Sequence, residues 1–246
     1  MSTALSWKDR VRQILPWKVY WKLKRLREEW KAMTDHDDLT ALAKVYKTDK
    51  WGHHFYTPIY EKWFQHLRHK PISLLEIGVG GYTKTHQGGD SLRMWKRYFY
   101  KGNITGIDIY DKSALQENRI KIVKGDQTDR AFLTELTNAD GPFDIIVDDG
   151  SHVQSHIITS FETLFPLMKP GSIYVIEDTQ TSYWPKYEGS TIDMHQVPSA
   201  MNYFIHRVHG VNRSEWRGDI PPTAIPDEGI GSISFYHNLI FVVKKG

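Results

Sequence analysis

The sequence has no cysteine among its 246 residues. Disulfides, a thiolate nucleophile and Cys-ligated zinc are excluded, and either redox compartment stays open. There is no apolar run of about 18 residues, so neither a transmembrane helix nor stable membrane insertion is expected. An excess of one charge is nearly absent: 32 Lys and Arg stand against 29 Asp and Glu, a formal net charge of +3. That balance is too small to argue for a nucleic-acid partner. Residues 1–30 lack the continuous apolar core of a signal peptide, and a cytoplasmic location is expected. No internal repeat or low-complexity tract occurs. With 40% hydrophobic and 25% charged residues, the composition is that of a folded soluble chain, not a collagen, a coiled coil or a disordered one.

What is present falls into three parts. Residues 1–38 form a basic, tryptophan-rich extension, with nine Lys or Arg against three acids between Trp7 and Lys31. Trp17, Tyr20, Trp21, Lys24 and Trp30 recur at helical spacing, with Pro16 as an interruption. Such a helix packs its aromatic face on the main domain or on a second subunit, or rests on an anionic surface. Residues 39–69 read as helical with a break near Trp51-Gly52, and Pro58 suits a helix start.

From residue 72 short apolar runs alternate with helix-like stretches. The runs ISLLEIG (72–78), NITGIDI (103–109), IKIVKGD (120–126), DIIVDDG (144–150) and SIYVIED (172–178) end in acids or glycines. This alternation predicts an α/β domain over 39–246, with a mostly parallel, Rossmann-like sheet covered by helices on both faces. ISFYHNLIFVVKK adds an antiparallel hairpin turning near His237-Asn238. Residues 179–230, rich in Pro, Gly and aromatics around a helix-like SAMNYFIHRVHG, read as an insertion or lid over the carboxyl edge.

Ligands of open α/β sheets bind at the carboxyl ends of the strands. LLEIGVGGY places Glu76 two residues before Gly78, with Gly80 and Gly81 following. Position 83 is Thr, so the dinucleotide fingerprint fails, and the pattern fits the S-adenosylmethionine (SAM) loop of class I methyltransferases. Asp108 is placed for ribose hydroxyls, and Asp126 with Gln127 for adenine. GGDSLRMW opens a helix with Asp90 or Ser91 as its cap, and Ser91 can also face the SAM carboxylate.

The strongest constellation lies after the fourth and fifth runs, where Asp148, Asp149, His152, Glu177 and Asp178 crowd one rim. Such a crowd repels itself unless a cation neutralises it, and oxygen donors without cysteine favour magnesium, manganese or calcium. We take Asp149, Glu177 and Asp178 as ligands, provided the chain has turned by Asp178, because consecutive strand residues face opposite ways. His152 suits a general base, and Asp148 an inward position. His54, Tyr56 and Tyr60 before the sheet, and Tyr183 and Trp184 after it, are candidate lid or substrate contacts.

Together TDKWGHHFYTPIY, LLEIGVGG, GGDSLRMW, GIDIYD, GDQTD, VDDGSH and IEDTQTSYW resemble the metal-dependent sugar O-methyltransferases over roughly residues 40–180. Within that family the chain is similar to the macrolide-sugar enzymes and, more closely, to the enzymes that methylate O1 of a mannoside in methylmannose polysaccharide synthesis. The resemblance implies SAM and Mg2+ or Mn2+ as cofactors, Asp149, Glu177 and Asp178 as the metal ligands and His152 as the base. It also implies a carbohydrate acceptor and a homo-oligomer. Competing readings are a methyltransferase of another glycoside, a nicotinamide-dependent oxidoreductase and a non-catalytic carbohydrate- or membrane-binding module.

Overall fold

The boundary between the two units of the chain falls between Gln65 and His66. Residues 39–65, grouped with the sheet on sequence grounds, therefore cluster with the helix before them. The computed structural model describes residues 16–33, 37–219 and 228–246. The whole of the basic leader before Pro16 lies outside the described residues.

The N-terminal unit contains α1 (Trp17–Ala32), α2 (Leu39–Tyr46) and α3 (Thr57–Phe64). Pro16 sits at the N-cap of α1. Trp30 is 73% exposed, so the aromatic residues of α1 do not all pack inward. Asp38 caps α2 by accepting the Ala41 N–H at 2.9 Å, and Lys47 ends the helix in the left-handed region. Thr40 and Thr57 hydroxyls meet at 2.7 Å and tie α2 to α3. Pro58 lies in the first turn of α3, where its missing N–H costs nothing.

The second unit is built on one seven-stranded sheet. Its strands are β1 (Ser73–Ile77), β2 (Asn103–Asp108), β3 (Ile120–Lys124), β4 (Ile145–Asp148), β5 (Ile173–Glu177), β6 (Ile230–Tyr236) and β7 (Leu239–Lys244). Their order is β3-β2-β1-β4-β5-β7-β6. β1 to β5 pair in parallel, whereas β7 runs antiparallel to both β5 and β6. The terminal hairpin turns at His237-Asn238, with Asn238 at φ 62. The crossovers carry α4 (Asp90–Tyr98), α5 (Arg130–Asp140) and α6 (Gln154–Leu164), and α7 (Ala200–Arg207) follows β5.

Strand alternation divides the sheet into two faces. Leu75, Ile77, Ile107, Ile146, Tyr174 and Ile176 pack on one face with Leu133, Phe161 and Phe204 from α5, α6 and α7. The other face carries α4, and it approaches so closely at Gly106 that a Cβ there would lie 2.8 Å from Leu92. This is the Rossmann-like arrangement with helices on both faces.

The insertion is not all cover. Ala200 and Phe204 of α7 are fully buried, and the Phe204 ring lies 4.8 Å from that of Phe161. α7 is therefore part of the core. Residues 220–227 of the stretch lie outside the described residues. Among the described residues, no helix is long and apolar enough to cross a membrane.

Candidate active site

Register decides which acids meet. β4 aligns Asp148 with Ile77 of β1 and with Ile176 of β5. Continued one residue further, the alternation puts Glu76, Asp149 and Glu177 on the same face, towards α4. Their carboxylates come together, with one oxygen of each within 4.8 Å of the others. Glu76 and Glu177 are buried, and Asp149 is half-buried.

Asp178 follows Glu177 and should face the opposite side. It does not, because it adopts φ 54, a left-handed conformation uncommon for a residue with a side chain. The chain turns out there, and Asp178 joins Asp149 and His152 in a second trio within 4.8 Å. Asp149 is common to both trios, while Glu177 and Asp178 fall in different ones. His152 is itself left-handed at φ 58, and its Nε2 lies 3.8 Å from Asp178 Oδ2. Hard oxygens, one imidazole and no sulfur, crowded at buried and half-buried positions, fit a cation of the magnesium or manganese class.

The glycine loop touches this cluster. A Cβ on Gly78 would lie 2.1 Å from the Asp149 carbonyl oxygen, so only glycine lets β1 and β4 end side by side. Gly78 and Gly80 both have positive φ. Asp108 accepts the Val79 N–H at 3.0 Å and the Tyr110 N–H at 2.9 Å. It thus braces the glycine loop and keeps acceptor capacity for a ligand. Lys112, fully buried, donates to the carbonyls of Lys84 and Gln87 at 2.9 and 3.2 Å and pins the segment that follows the loop.

Three expectations change. Ser91 does not cap α4: Gly89, at φ 70, holds the cap position, and the Ser91 hydroxyl donates to Glu76 Oε2 at 2.8 Å. Glu76 consequently belongs to the carboxylate cluster as well as to the loop. Gln127 is turned into the protein, because its amide donates to Asp148 and Ser160 at 3.2 and 3.1 Å and its oxygen accepts the Ser151 N–H at 2.8 Å. Its side chain braces the loop after β4 and is not presented to an adenine. Asp126 is exposed at the end of β3, and the Thr128 backbone N–H bonded to it holds its pKa below the usual carboxylate value.

Asp148 takes the inward position expected of it. It is 1% exposed and accepts from Ser160, Tyr174 and Gln127. Burial pushes its pKa up to about 6, with those hydrogen bonds opposing the shift.

Tyr183 ends the short turn Thr179–Tyr183, and Trp184 after it is 48% exposed. Trp184 stands 6.0 Å from the ring of Tyr187, which in turn stands 6.5 Å from His152. Tyr187 is not singled out by sequence reasoning, although the cluster SYWPKY contains it. In the N-terminal unit Tyr56 and Tyr60 are buried, and His54 stacks on Tyr56 at 4.7 Å.

Residues 30–179 match a family model described as a methyltransferase domain. The chain belongs to this methyltransferase family. The methyltransferase domain is 44% identical over 212 residues to an 8-demethyl-8-alpha-L-rhamnosyl tetracenomycin-C 2'-O-methyltransferase of Streptomyces olivaceus, covering 86% of this chain and 56% of that one. It is 42% identical to a mycinamicin VI 2''-O-methyltransferase of Micromonospora griseorubida, covering 84% of this chain and 52% of the relative. The crystal structure of the MycE methyltransferase of mycinamycin biosynthesis, in complex with Mg and SAH, superposes with a TM-score of 0.80 at 42% identity, over 85% of this chain and 53% of that one. The chain spans about half the length of these relatives.

Proposed function

We propose that this methyltransferase domain transfers the methyl group of SAM to a sugar hydroxyl with the help of Mg2+ or Mn2+. The observation that carries the reading is the pair of trios sharing Asp149, one of three carboxylates and one of two carboxylates with His152, seated against the glycine loop at Gly78. Relatives named as O-methyltransferases of glycosylated antibiotics, and a similar structure holding Mg and SAH, support it.

A divalent cation at the cluster supplies Lewis acidity, which makes a nearby hydroxyl easier to deprotonate. On the motif resemblance Asp149, Glu177 and Asp178 would hold the cation, Asp149 being the residue that the two trios share and Glu76 standing beside it in the trio with Glu177. His152 takes the hydroxyl proton on Nε2, the atom that lies 3.8 Å from Asp178 Oδ2. The glycine loop, Asp108 and Asp126 line the place of the donor. Trp184 and Tyr187 offer apolar ring faces for the acceptor, next to the base.

For the acceptor we propose a mannoside or oligomannoside methylated at O1, on the motif resemblance, with cytoplasmic homo-oligomers as the working form. The names of the relatives favour a second reading, a deoxysugar on an antibiotic glycoside. One experiment separates them. Purified protein is incubated with methyl-labelled SAM and Mg2+ over mannose, short mannosides and rhamnosyl glycosides, and product linkage is read by NMR. Transfer that survives thorough EDTA treatment would refute the metal-dependent reading, and transfer to rhamnosyl acceptors alone would replace the mannoside.

A further inference from the structure

Gln154, in the first turn of α6, is fully buried just behind His152. All four hydrogen-bonding positions of its carboxamide are used. Nε2 donates to the His152 carbonyl and to the Thr181 hydroxyl, both at 3.1 Å. Oε1 accepts from the Ser182 hydroxyl at 2.9 Å and from the Ala200 N–H at 2.8 Å. The Thr181 hydroxyl, having accepted from Gln154, donates onward to the Asp178 carbonyl at 3.0 Å. One carboxamide thus reaches the backbone of His152 directly and that of Asp178 through a single hydroxyl.

These two residues need such support. His152 and Asp178 both occupy the left-handed region, at φ 58 and φ 54. A residue with a Cβ stays there only where its surroundings over-determine it. Relaxing either turn would swing the imidazole or the carboxylate out of the pair that now places Nε2 3.8 Å from Oδ2. The Ser182 and Ala200 bonds fix the carboxamide in turn, because they anchor it to the chain after β5 and to the start of α7. Glutamine is the side chain that suits: glutamate has no N–H to donate to the His152 carbonyl, and methionine of similar length has neither strong donor nor strong acceptor.

We propose that Gln154 is a positioning residue that sets the distance between His152 and Asp178, and through them the alignment of proton removal. The proposal deepens the reading of His152 as the base and rests on it for its effect on rate. Gln154 touches no substrate, and its effect passes through the two residues it holds.

The test uses the full chain carrying Gln154→Met or Thr181→Val, each checked for folding by circular dichroism and thermal melting. The imidazole resonances of histidine-labelled protein are recorded, with His152 assigned by its loss in His152→Ala. In Gln154→Met the His152 signal should shift while histidines far from the site keep theirs. SAH affinity by calorimetry should be unchanged, and kcat should fall by about 10- to 100-fold with little change in KM, the usual scale for a residue that orients a reacting group. In a His152→Ala background the same substitution should cost nothing further.

A folded Gln154→Met enzyme with an unmoved His152 signal and full kcat overturns the proposal, as does an equal loss of rate with and without His152. If Gln154→Met does not fold, the same measurements on Thr181→Val decide between the same outcomes, since that substitution cuts the link to Asp178. If His152→Ala itself keeps full activity, the base reading fails. The His152 signal in Gln154→Met still decides whether Gln154 positions that ring.

Discussion

Asp148 and Asp149 are consecutive, yet their carboxylates serve opposite faces of the sheet. Asp148 points into the core to Tyr174, Ser160 and Gln127, while Asp149 joins the acids on the α4 face. Strand pleating alone produces this division. It gives the two residues opposite roles, one bracing the end of β4 and the other holding charge at the rim.

Loss of the shared carboxylate should abolish chemistry without emptying the donor site. Asp149→Ala and Glu177→Ala are each expected to bring methyl transfer to background, with SAH binding by calorimetry largely kept. Chelation should have the same effect and be reversed by added Mg2+. An Asp149→Ala enzyme with normal turnover would remove the cluster from the mechanism.

His152→Ala should slow transfer by about 10²–10⁴-fold, the range for a positioned base. The loss belongs in kcat, so saturation with acceptor should not restore it. Single-turnover rates with labelled SAM provide the check.

Gly78 tolerates no side chain, because it has φ 95 and a Cβ would sit 2.1 Å from the Asp149 carbonyl. Gly78→Ala should lower stability by more than about 1 kcal/mol, as expected for a Cβ forced into positive φ. Any folded protein should bind both SAH and Mg2+ more weakly, since loop and ligand strand share the contact. Calorimetry of each ligand alone, next to a thermal melt, tests whether both affinities drop together.

The buried Asp148 makes a stability prediction for the metal-free protein. Its folded pKa is raised to about 6, above the ordinary carboxylate value near 4, so the folded state holds its proton more tightly than the unfolded chain. Its contribution is therefore favourable below about pH 4, declines as pH rises towards about 6, and is flat above that. Asp148→Asn should remove this slope. Urea unfolding in EDTA from pH 4 to 7 should give a stability gain for the Asn variant that grows with pH. A constant difference would mean that Asp148 does not titrate in this range.

Much of the sheet is readable in the chain itself. The five apolar runs become β1 to β5 because a parallel strand covered on both faces must be apolar nearly throughout, and IIVD of β4 is buried along its whole length. The hairpin at His237-Asn238 is equally local, since Asn tolerates the positive φ of a tight turn. Gly78 and Gly80 are legible for the same reason. The cap of α4 is not, because Asp90 and Ser91 have the usual capping chemistry, whereas the segment folded back on the glycine loop makes Gly89 the turn.

The identity of the acidic residues and their order along the chain were determined by sequence, and with them the reach of the cluster to the carboxyl ends of β4 and β5. Their partners were not. Glu76 joins Asp149 and Glu177 only because register aligns three strands. Asp178 meets His152 where both residues adopt left-handed conformations, and the bond from Gln154 to Thr181 links the two turns across 27 residues of chain. Gln127 is legible as a residue near the strand ends but not as one turned inward to Asp148 and Ser160, and Gln154 looks like an ordinary polar residue until its burial beside His152 is seen. Local patterns write strands and turns, because those depend on neighbours in the chain. Hydrogen bonds between distant segments depend on which side chains the finished fold encloses together.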